Sequence, residues 1–315
     1  MKASIVKSSA ASLRVKVTGV CNRSCHFCNE EGDMKGIGGM QADDDFKYAM
    51  TILQETFSIS KIMFTGGEPT IHPHFGELVS AVDADEVSVT TNGVRLLEVE
   101  DWKKLRDSGL SRVILSIHDA SPQDFLALET RKRGIGWAMN SLENQRQNCL
   151  NAAQAGLRTR VNVVLHSSTE KALSVLEMLT PIQEQAKIGV RILNGLSAID
   201  RSKSAIRSLC QALEAAPVSS SLRKGSSNKV DTWVSSDGFQ FEIKEEYSYF
   251  LDAICGGCHM KHQCREGFYG IRVEVRGGKY FVRLCLYKNS SDVLMPLEDF
   301  LVSPVAKAYK ETLAS

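Results

Sequence analysis

The sequence has no long hydrophobic run and no excess of charge of one sign. No stretch approaches the about 18 consecutive apolar residues of a membrane-spanning helix, and the polar residues 1–11 lack the apolar core of a secretory signal. Lysine and arginine number 38 against 37 acidic residues, a formal net charge of +1. These absences exclude membrane, collagen-like, coiled-coil and disordered classes and argue against bulk electrostatic binding to nucleic acid. We expect a cytoplasmic protein with neither a membrane nor a nucleic-acid partner.

Cysteine, by contrast, is plentiful, since the chain has nine. In a reducing compartment, clustered cysteines usually indicate metal or redox chemistry. Seven of them fall into two groups, and the other two stand alone on helical patterns, where we expect small buried side chains. The first group is Cys21, Cys25 and Cys28; the second is Cys255, Cys258, Cys264 and, on a later strand, Cys285; the isolated pair is Cys149 and Cys210.

The first two thirds of the chain alternate strand and helix patterns. Six apolar, β-branched runs are separated by amphipathic stretches with helical spacing. Six βα units in series predict a parallel sheet with helices outside. Right-handed crossovers would curl this sheet into a partial TIM-like (β/α)6 barrel, short by two units, and an open doubly wound sheet is the alternative. The predicted strands are Leu13–Thr18, Ile62–Phe64, Val87–Thr90, Val113–Ile117, Val161–Leu165 and Val190–Leu193.

The pattern changes after residue 217, where we place a boundary between domains 1–217 and 218–315. Pro217–Lys229, rich in serine, glycine and lysine, is predicted to be a linker or mobile loop. Short strands follow as hairpins, one across a Ser-Ser-Asp-Gly turn and one across Gly277-Gly278. The second domain is therefore predicted to be a small α+β unit built around the second cysteine group.

The first cysteine group directly follows the first predicted strand. In a barrel this is the first βα loop, on the face where active sites are built. Thiolates select zinc or iron–sulfur clusters, and a structural zinc requires four ligands. Three thiolates on one loop suit a cubane cluster with one open iron, which a substrate or cofactor would bind. The alternative is a zinc site that takes His26 as its fourth ligand.

The second predicted strand ends in Gly66-Gly67-Glu68-Pro69. Two glycines allow a ligand to come close to the backbone, although the same residues would also form an ordinary βα turn. Their position beside the cysteine loop favours ligand binding.

Cys-x3-Cys-x2-Cys after strand one, followed by Gly-Gly-Glu-Pro after strand two, strongly resembles the radical S-adenosylmethionine (SAM) superfamily. The resemblance covers the barrel region. It extends to Asn92 after strand three, Ser116 after strand four and Asn162 on strand five.

This resemblance implies a cofactor set and a role for each residue. The first three cysteines would ligate a [4Fe–4S] cluster whose open iron chelates the amino and carboxylate groups of SAM. The segment Gly66–Glu68 would hold the methionine amine, while Asn92, Ser116 and Asn162 would lie near the ribose or carboxylate. Phe27 would either contact adenine or shield the cluster. One electron would cleave SAM to a 5′-deoxyadenosyl radical, which removes hydrogen from a C–H bond.

The second cysteine group resembles the twitch half of a SPASM domain, which carries an auxiliary [4Fe–4S] cluster. Four thiolates suit a closed cluster or a structural zinc. Cys264 is either the fourth ligand beside Cys255, Cys258 and Cys285, or a free thiol that donates hydrogen to a substrate radical. The hairpin before Cys285 also resembles the molybdenum-cofactor GTP cyclases. Those enzymes use three cysteines there and end in Gly-Gly, whereas this chain ends in Thr-Leu-Ala-Ser, so we expect a different substrate.

Few residues precede the first strand, which argues against a leader-recognition domain and for a small polar substrate, such as a sugar, aminocyclitol or nucleoside. The reaction would be an epimerisation, dehydrogenation or decarboxylation in natural-product or cofactor biosynthesis. Polar residues at the strand ends and past the cysteine loop are candidates to contact the substrate. They are Glu30, Glu31, His118, Asp119, His166, Arg191 and Asn194.

A partner such as flavodoxin or ferredoxin would supply the electron. Three alternatives stay open: a peptide-modifying maturase with a separate recognition protein, an enzyme like the GTP cyclases, and a non-catalytic zinc-binding module.

Overall fold

A computed structural model describes residues 4–8, 11–28, 39–165, 168–195 and 199–314. Within these residues, thirteen strands share one sheet. They are β1 (Ser4–Ser8), β2 (Ala11–Lys16), β3 (Ile59–Thr65), β4 (Glu86–Thr91), β5 (Arg112–Ser116), β6 (Arg158–Leu165), β7 (Gly189–Asn194), β8 (Ala216–Arg223), β9 (Asn228–Val234), β10 (Gln240–Glu246), β11 (Ile271–Arg276), β12 (Lys279–Arg283) and β13 (Leu294–Pro296).

Helices connect the central strands and cover one face of the sheet. None of those in the described part of the chain is long and apolar enough to cross a membrane. They are α1 (Asp44–Phe57), α2 (Phe75–Ser80), α3 (Val99–Asp107), α4 (Pro122–Ala127), α5 (Ile135–Gln154), α6 (Thr169–Ala186), α7 (Ile199–Ala212), α8 (Asp252–Cys255), α9 (Leu297–Leu301) and α10 (Pro304–Ala314).

The six predicted barrel strands are present as β2–β7, parallel and adjacent in chain order. This confirms the α/β class and the partial TIM-like barrel. Two later strands extend it in parallel, β10 beside β7 and β11 beside β2. Arg223 Nη1, at the end of β8, donates to Ser12 Oγ of β2 at 2.5 Å. Because β8 and β2 lie far apart in the strand order, this bond shows that the sheet curls.

Alternation along each strand separates an apolar outer face from a polar inner face. On β2, Leu13 and Val15 are buried in the core beneath the helices, and Arg14 lies between them on the opposite face. Helix α1 shows how the covering layer forms. The side chain of Asp43 accepts from Phe46 N at 2.8 Å and caps the helix. The buried residues then recur at helical spacing, Phe46, Ala49, Met50, Leu53 and Phe57.

The prediction that Pro217–Lys229 is a linker or mobile loop is wrong. Most of it forms β8 and the turn into β9. Serines are tolerated here because their hydroxyls find partners on β9: Ser220 Oγ donates to Asp231 Oδ1 at 2.5 Å and Ser221 Oγ to Val230 O at 3.3 Å. The strands after residue 217 thus continue the barrel sheet at both ends, and the domain boundary itself stays a prediction.

Candidate active site

The two segments that follow β2 and β3 remain joined by backbone hydrogen bonds. Gly67 N donates to Thr18 O at 2.7 Å, and Glu68 N donates to Val20 O at 2.8 Å. A Cβ atom on Gly67 would lie 2.0 Å from Val20 O, and one on Gly66, whose φ is +144°, 2.4 Å from Thr18 O. Glycine is required here because the chain that leads into the cysteine loop comes so close. That the same backbone holds SAM stays a prediction.

Glu68 lies at the centre of the loops that follow β3 and β4. Its side chain is fully buried and accepts from Thr70 N at 3.0 Å, Thr70 Oγ1 at 2.7 Å, Thr91 Oγ1 at 2.6 Å and Asn92 N at 2.6 Å. Burial raises the pKa of this carboxyl, and the hydrogen bonds only partly offset the effect. Four donors occupy most of the acceptor positions of a carboxylate. The geometry therefore gives Glu68 a positioning role, and its predicted contact with the methionine amine remains untested.

Asn92 connects the β4 loop to the cysteine loop. Its Nδ2 donates to Asn22 Oδ1 at 2.8 Å and lies 3.6 Å from Cys21 Sγ. Gln145, on α5, donates in turn to Asn92 O at 2.6 Å and to Ser116 O at 3.1 Å. Sequence reasoning missed Gln145. The signal was available, because polar residues recur every three positions on a helix face that is otherwise apolar.

Ser116 and Asn162 lie side by side, while their predicted contact with SAM stays a prediction. They are register partners on β5 and β6, so their side chains lie on the same face of the sheet. Asn162 Oδ1 is buried and accepts no hydrogen bond from any described residue. A buried acceptor without a donor is costly, so this atom suits a hydroxyl or amine of a bound molecule.

A buried ion pair, also missed, holds the cysteine loop from the other side. Arg23 Nε lies 2.7 Å from Glu129 Oε1, and the two side chains are 3% and 0% exposed. Glu129 also accepts from Ser24 N at 2.8 Å and Ser24 Oγ at 3.0 Å, and its Oε1 is 3.8 Å from Cys25 Sγ. Burial would raise the pKa of Glu129, but Arg23 and Ser24 outweigh it and lower this pKa. Arg23 also stacks 4.0 Å above the centre of the Phe125 ring.

The three thiols of the loop fit a metal cluster by their chemistry. Burial raises the pKa of Cys21 to about 11 and that of Cys25 to about 12, with Cys28 adding to both shifts, while Cys28 itself is exposed. Such thiols ionise only when a cation compensates the thiolate charge. As placed, no three His, Cys, Asp or Glu side chains among the described residues are gathered to hold one ion. The three cysteines therefore fit a metal cluster by the type of their donor atoms and by their position on one loop.

Phe27 and His118 face each other beside this loop. Their ring centroids are 5.2 Å apart with planes at 80°. Val164 N donates to His118 Nδ1 at 3.0 Å, so the neutral ring carries its proton on Nε2. The next residue, Asp119, is buried, and its Oδ2 has no partner among the described residues. Burial raises the pKa of Asp119 to about 6. Both residues stay candidates for substrate contact.

The inner face of the barrel carries a group of cations. Lys244 Nζ lies 3.9 Å from the centroid of the Tyr269 ring. Burial lowers the pKa of Lys244 to about 8; Glu266 opposes this shift, and Arg14, Arg191 and Arg272 reinforce it. Arg14 and Arg272 are register partners on β2 and β11, so they project from one face.

Two of these cations have an acidic neighbour. Arg272 Nη2 is 3.8 Å from Glu266 Oε1, and Arg191 Nε is 2.7 Å from Glu242 Oε2. Arg160 also approaches Glu242 at 3.8 Å, and its buried Nε has no partner in the described chain. Guanidinium and ammonium groups therefore outnumber carboxylates in this part of the barrel.

The remaining substrate candidates are less informative. Asn194 Nδ2 donates to Lys244 O at 3.2 Å and so braces β10. Glu30, Glu31 and His166 lie outside the described residues.

The second cysteine group begins at Cys255, the last residue of α8, continues in the turns before β11, and ends with Cys285 just after β12. Cys264, Cys285 and Cys258 lie close enough to Cys255 that their negative charge adds to burial in raising its pKa. Cys264 Sγ also accepts from Gly267 N at 3.4 Å. The other three cysteines that the sequence grouped thus act on the charge state of Cys255, although no three metal-binding side chains among the described residues are gathered around one point. The isolated Cys149 and Cys210 are buried in the core, as predicted.

A partial (β/α)6 barrel with three cysteines after its first strand defines a class of enzyme, and the family comparison agrees. The model of the Radical SAM superfamily matches residues 15–179, slightly more than half of the chain. The chain belongs to the radical SAM superfamily, whose members use a [4Fe–4S] cluster and SAM. Members of this superfamily are enzymes that use a reductant.

Within this family the chain is similar to GTP 3′,8-cyclases. It is 28% identical over 269 residues to the GTP 3′,8-cyclase of Aliarcobacter butzleri, covering 81% of this chain and 78% of that one. It is 39% identical over 116 residues to the probable GTP 3′,8-cyclase of Sulfolobus acidocaldarius, covering 36% of each. The chain thus spans about a third of the length of that second relative.

Among solved structures, the chain is similar in fold to Streptococcus suis SuiB bound to S-adenosylmethionine. The TM-score is 0.54 at 14% identity, covering 96% of this chain and 68% of SuiB. At this identity the likeness concerns the fold alone.

Proposed function

We propose that the chain removes hydrogen from a purine nucleoside triphosphate, with GTP as the first candidate. The cation group inside the barrel carries this proposal. The charges of Arg14, Arg191 and Arg272 all act on Lys244, and Arg14 and Arg272 are register partners on neighbouring strands. Two carboxylates lie among these cations, Glu266 beside Arg272 and Glu242 beside Arg191, so the cations are in excess, and neighbouring like charges are unfavourable unless an anion joins them. A triphosphate supplies several negative charges and suits guanidinium donors.

The relatives support the same substrate class. The alignment with the Aliarcobacter butzleri enzyme covers four fifths of the chain, and that relative's name states a cyclisation of GTP at positions 3′ and 8. This favours a nucleotide over the sugar or aminocyclitol expected from the sequence. The comparisons thus favour the alternative that the sequence left open, an enzyme like the GTP cyclases.

Two sets of residues would have separate roles, one in binding SAM and the other in binding the phosphates. The bound cluster and SAM supply the radical that abstracts hydrogen. Asn162 Oδ1 would accept from a hydroxyl or amine of the bound SAM, and Glu68 and Gln145 keep the surrounding loops in place. The cation group would hold the phosphates, so that the ribose lies between them and SAM. A closed barrel wall would exclude water from the reactive centre.

We further propose that the second cysteine group holds an auxiliary [4Fe–4S] cluster with Cys264 as a ligand. The charges of Cys264, Cys285 and Cys258 all act on Cys255, so the four thiols share one region of the fold. Four thiolates match the ligand number of a closed [4Fe–4S] cluster. The alternative role, a thiol that donates hydrogen to a substrate radical, would need Cys264 free of the metal.

Substrate identity is tested with the anaerobic, iron-reconstituted enzyme, SAM and a chemical reductant. We expect GTP to stimulate 5′-deoxyadenosine formation well above the basal level, and guanosine, which lacks phosphates, to do so far less. GTP deuterated at C3′ should transfer deuterium into 5′-deoxyadenosine. Stimulation by guanosine equal to that by GTP, or by aminocyclitols alone, would contradict the proposal.

The auxiliary cluster is tested by comparing Cys264→Ala with Cys255→Ala. If Cys264 is a ligand, both variants should lose cluster iron and the corresponding absorbance. A Cys264→Ala protein with a full iron content and no turnover would instead assign Cys264 as the hydrogen donor.

A further inference from the structure

A short segment after α4 covers the outside of the cysteine loop. We call residues 128–133 the strap. Backbone hydrogen bonds join the strap to the cysteine loop. His26 N donates to Leu128 O at 2.9 Å, and Thr130 N donates to Ser24 O at 2.8 Å. An isolated β-bridge pairs Cys25 with Glu129. The strap therefore forms the outer wall of the cluster-binding loop.

Side chains add to this attachment. Arg131 N donates to Ser24 Oγ at 3.1 Å, and Arg133 Nη2 donates to Asn22 O at 3.2 Å. Arg133 Cζ also lies 4.7 Å from the centroid of the Trp137 ring. The strap is thus held at both ends, and its outer side chains keep a fixed position relative to the cysteines.

The strap presents three consecutive exposed cations, Arg131, Lys132 and Arg133. Its own acid, Glu129, is buried and already paired with Arg23. Among the described residues, none of these three cations forms an ion pair. Cations on the surface helices differ, since Lys47, Lys103 and Arg146 each pair with an acid three residues away. In a chain of net charge +1 this is a local excess of positive charge.

Exposed apolar side chains are found on α5, just after the cations, and at the start of the cysteine loop. Ile135 is 47% exposed and Met139 56% exposed, one turn apart on the same face of α5. Val20, directly before the first cysteine, is 51% exposed. A basic surface with apolar neighbours is typical of small, transient interfaces.

We propose that the strap is the docking surface for a small acidic redox protein that carries a one-electron flavin or iron–sulfur group. The family needs an external reductant, and electron transfer slows steeply with distance, so the donor must dock over the cluster. The strap is a surface fixed by hydrogen bonds to the cluster loop, and its charge is opposite to that of an acidic carrier. On transfer, the carrier loses one electron and the cluster gains it. This inference rests on the family alone and is independent of the proposed substrate.

The test uses the full-length, reconstituted enzyme and reduced flavodoxin as the probe. The variant R131E/K132E reverses two charges and leaves Arg133, whose guanidinium contacts Asn22, in place. We expect the KM for flavodoxin in 5′-deoxyadenosine formation to rise at least tenfold. The decrease of the wild-type rate with salt should flatten in the variant. Ferredoxin in place of flavodoxin should show the same change.

Two comparisons keep the test specific. Reduced methyl viologen, a small cation, should support equal rates in the wild type and the variant. The control K307E/K310E reverses two charges on α10 and should change the flavodoxin KM less than twofold. Unchanged flavodoxin kinetics in R131E/K132E would overturn the proposal. An equal loss with methyl viologen would overturn it too, because the strap would then act on the loop itself. A salt-sensitive dimer abolished by the variant would overturn it by assigning the surface to a second copy of the chain.

Discussion

The two cysteine regions differ in what holds them. The loop of residues 21–28 is fixed by residues distant in sequence, above all by the pair Arg23–Glu129, 106 positions apart. The segment 255–264 is ordered mainly by its own turns, as Cys258 N donates to Cys255 O at 3.2 Å and Cys264 N to Lys261 O at 3.3 Å.

This difference separates two ways of building a metal site. Contacts from distant parts of the chain position the first loop, so the fold itself places its three cysteines. In the second region, local turns leave more of the ordering to the metal, and binding energy becomes folding energy. The first site is thus suited to exchanging SAM and products, and the second to a role that does not change during turnover.

The largest effect should come from removing a cysteine in each region. Cys21→Ala should abolish SAM cleavage, because the first cluster loses one of its three ligands. Cys255→Ala should keep SAM cleavage without substrate and lose only the auxiliary cluster. Each variant should hold roughly half of the wild-type iron, about four of eight atoms.

These variants are compared by iron analysis and by 5′-deoxyadenosine formation. SAM cleavage by Cys21→Ala at the wild-type rate would remove the distinction between the two regions. A wild-type protein that contains zinc and no iron would favour the zinc-binding alternative.

Next in size is the loss of the buried ion pair of the first loop. Glu129→Ala leaves the Arg23 guanidinium buried without its partner, and we expect the free energy of unfolding to fall by about 3–5 kcal/mol. The double variant Arg23→Met/Glu129→Leu removes both charges and should recover much of this stability. Urea denaturation of all three proteins measures both values.

The control for this prediction lies on the protein surface. Glu100→Ala removes the exposed partner of Lys103 on α3 and should change stability by less than about 1 kcal/mol. If Glu129→Ala were as mild, the first loop would not depend on its distant contacts, and the comparison would fail.

The sequence predicted the elements better than the contacts between them. The six barrel strands and the hairpins were identified because apolar periodicity is a local property. The sequence predicts a linker where β8 lies, because Ser219, Ser220 and Ser221 resemble a loop until their partners on β9 are known. Whether a polar segment becomes a strand depends on its neighbours, which the sequence does not display.

The same limit applies to the candidate site. The cysteines, the two glycines and Asn92 can be predicted as site candidates because their spacing is local. Glu129 was missed because it acts through a contact with a loop far away along the chain. The polar spacing on α5 marks Gln145 as unusual, but it does not show which loop Gln145 contacts. The cations inside the barrel were missed as a group for the same reason, although Arg191 was proposed singly.

A smaller effect should follow from forcing apart the paired segments that follow β2 and β3 and lead into the first loop. In Gly67→Ala the new methyl group would meet Val20 O, which is backbone and has no rotamer to change. We expect a loss of about 1–3 kcal/mol in stability, together with weaker SAM binding. A Cβ added to Gly257, in the second region, would meet no atom within 4 Å, so Gly257→Ala is the matched control. Equal stability of the two variants would show that the first loop tolerates separation from β3.

The smallest effect concerns the cations that the C-terminal strands bring to the barrel. Lys244 has a pKa lowered to about 8, first by burial and then by neighbouring arginines. A bound triphosphate favours the charged ammonium, so its affinity should fall as Lys244 loses its proton above that pH. We expect the Kd for GTP to rise about tenfold between pH 7 and pH 9, since each pH unit above the pKa costs at most a factor of ten.

Two variants separate this titration from that of GTP itself. Lys244→Arg stays charged throughout and should bind with a flat pH profile. Lys244→Met should bind more weakly at pH 7 and also show no slope. Isothermal titration in each protein measures the profile. A slope that persists in Lys244→Arg would assign the pH dependence to another group and remove Lys244 from the phosphate site, leaving the C-terminal strands a purely structural part in the barrel.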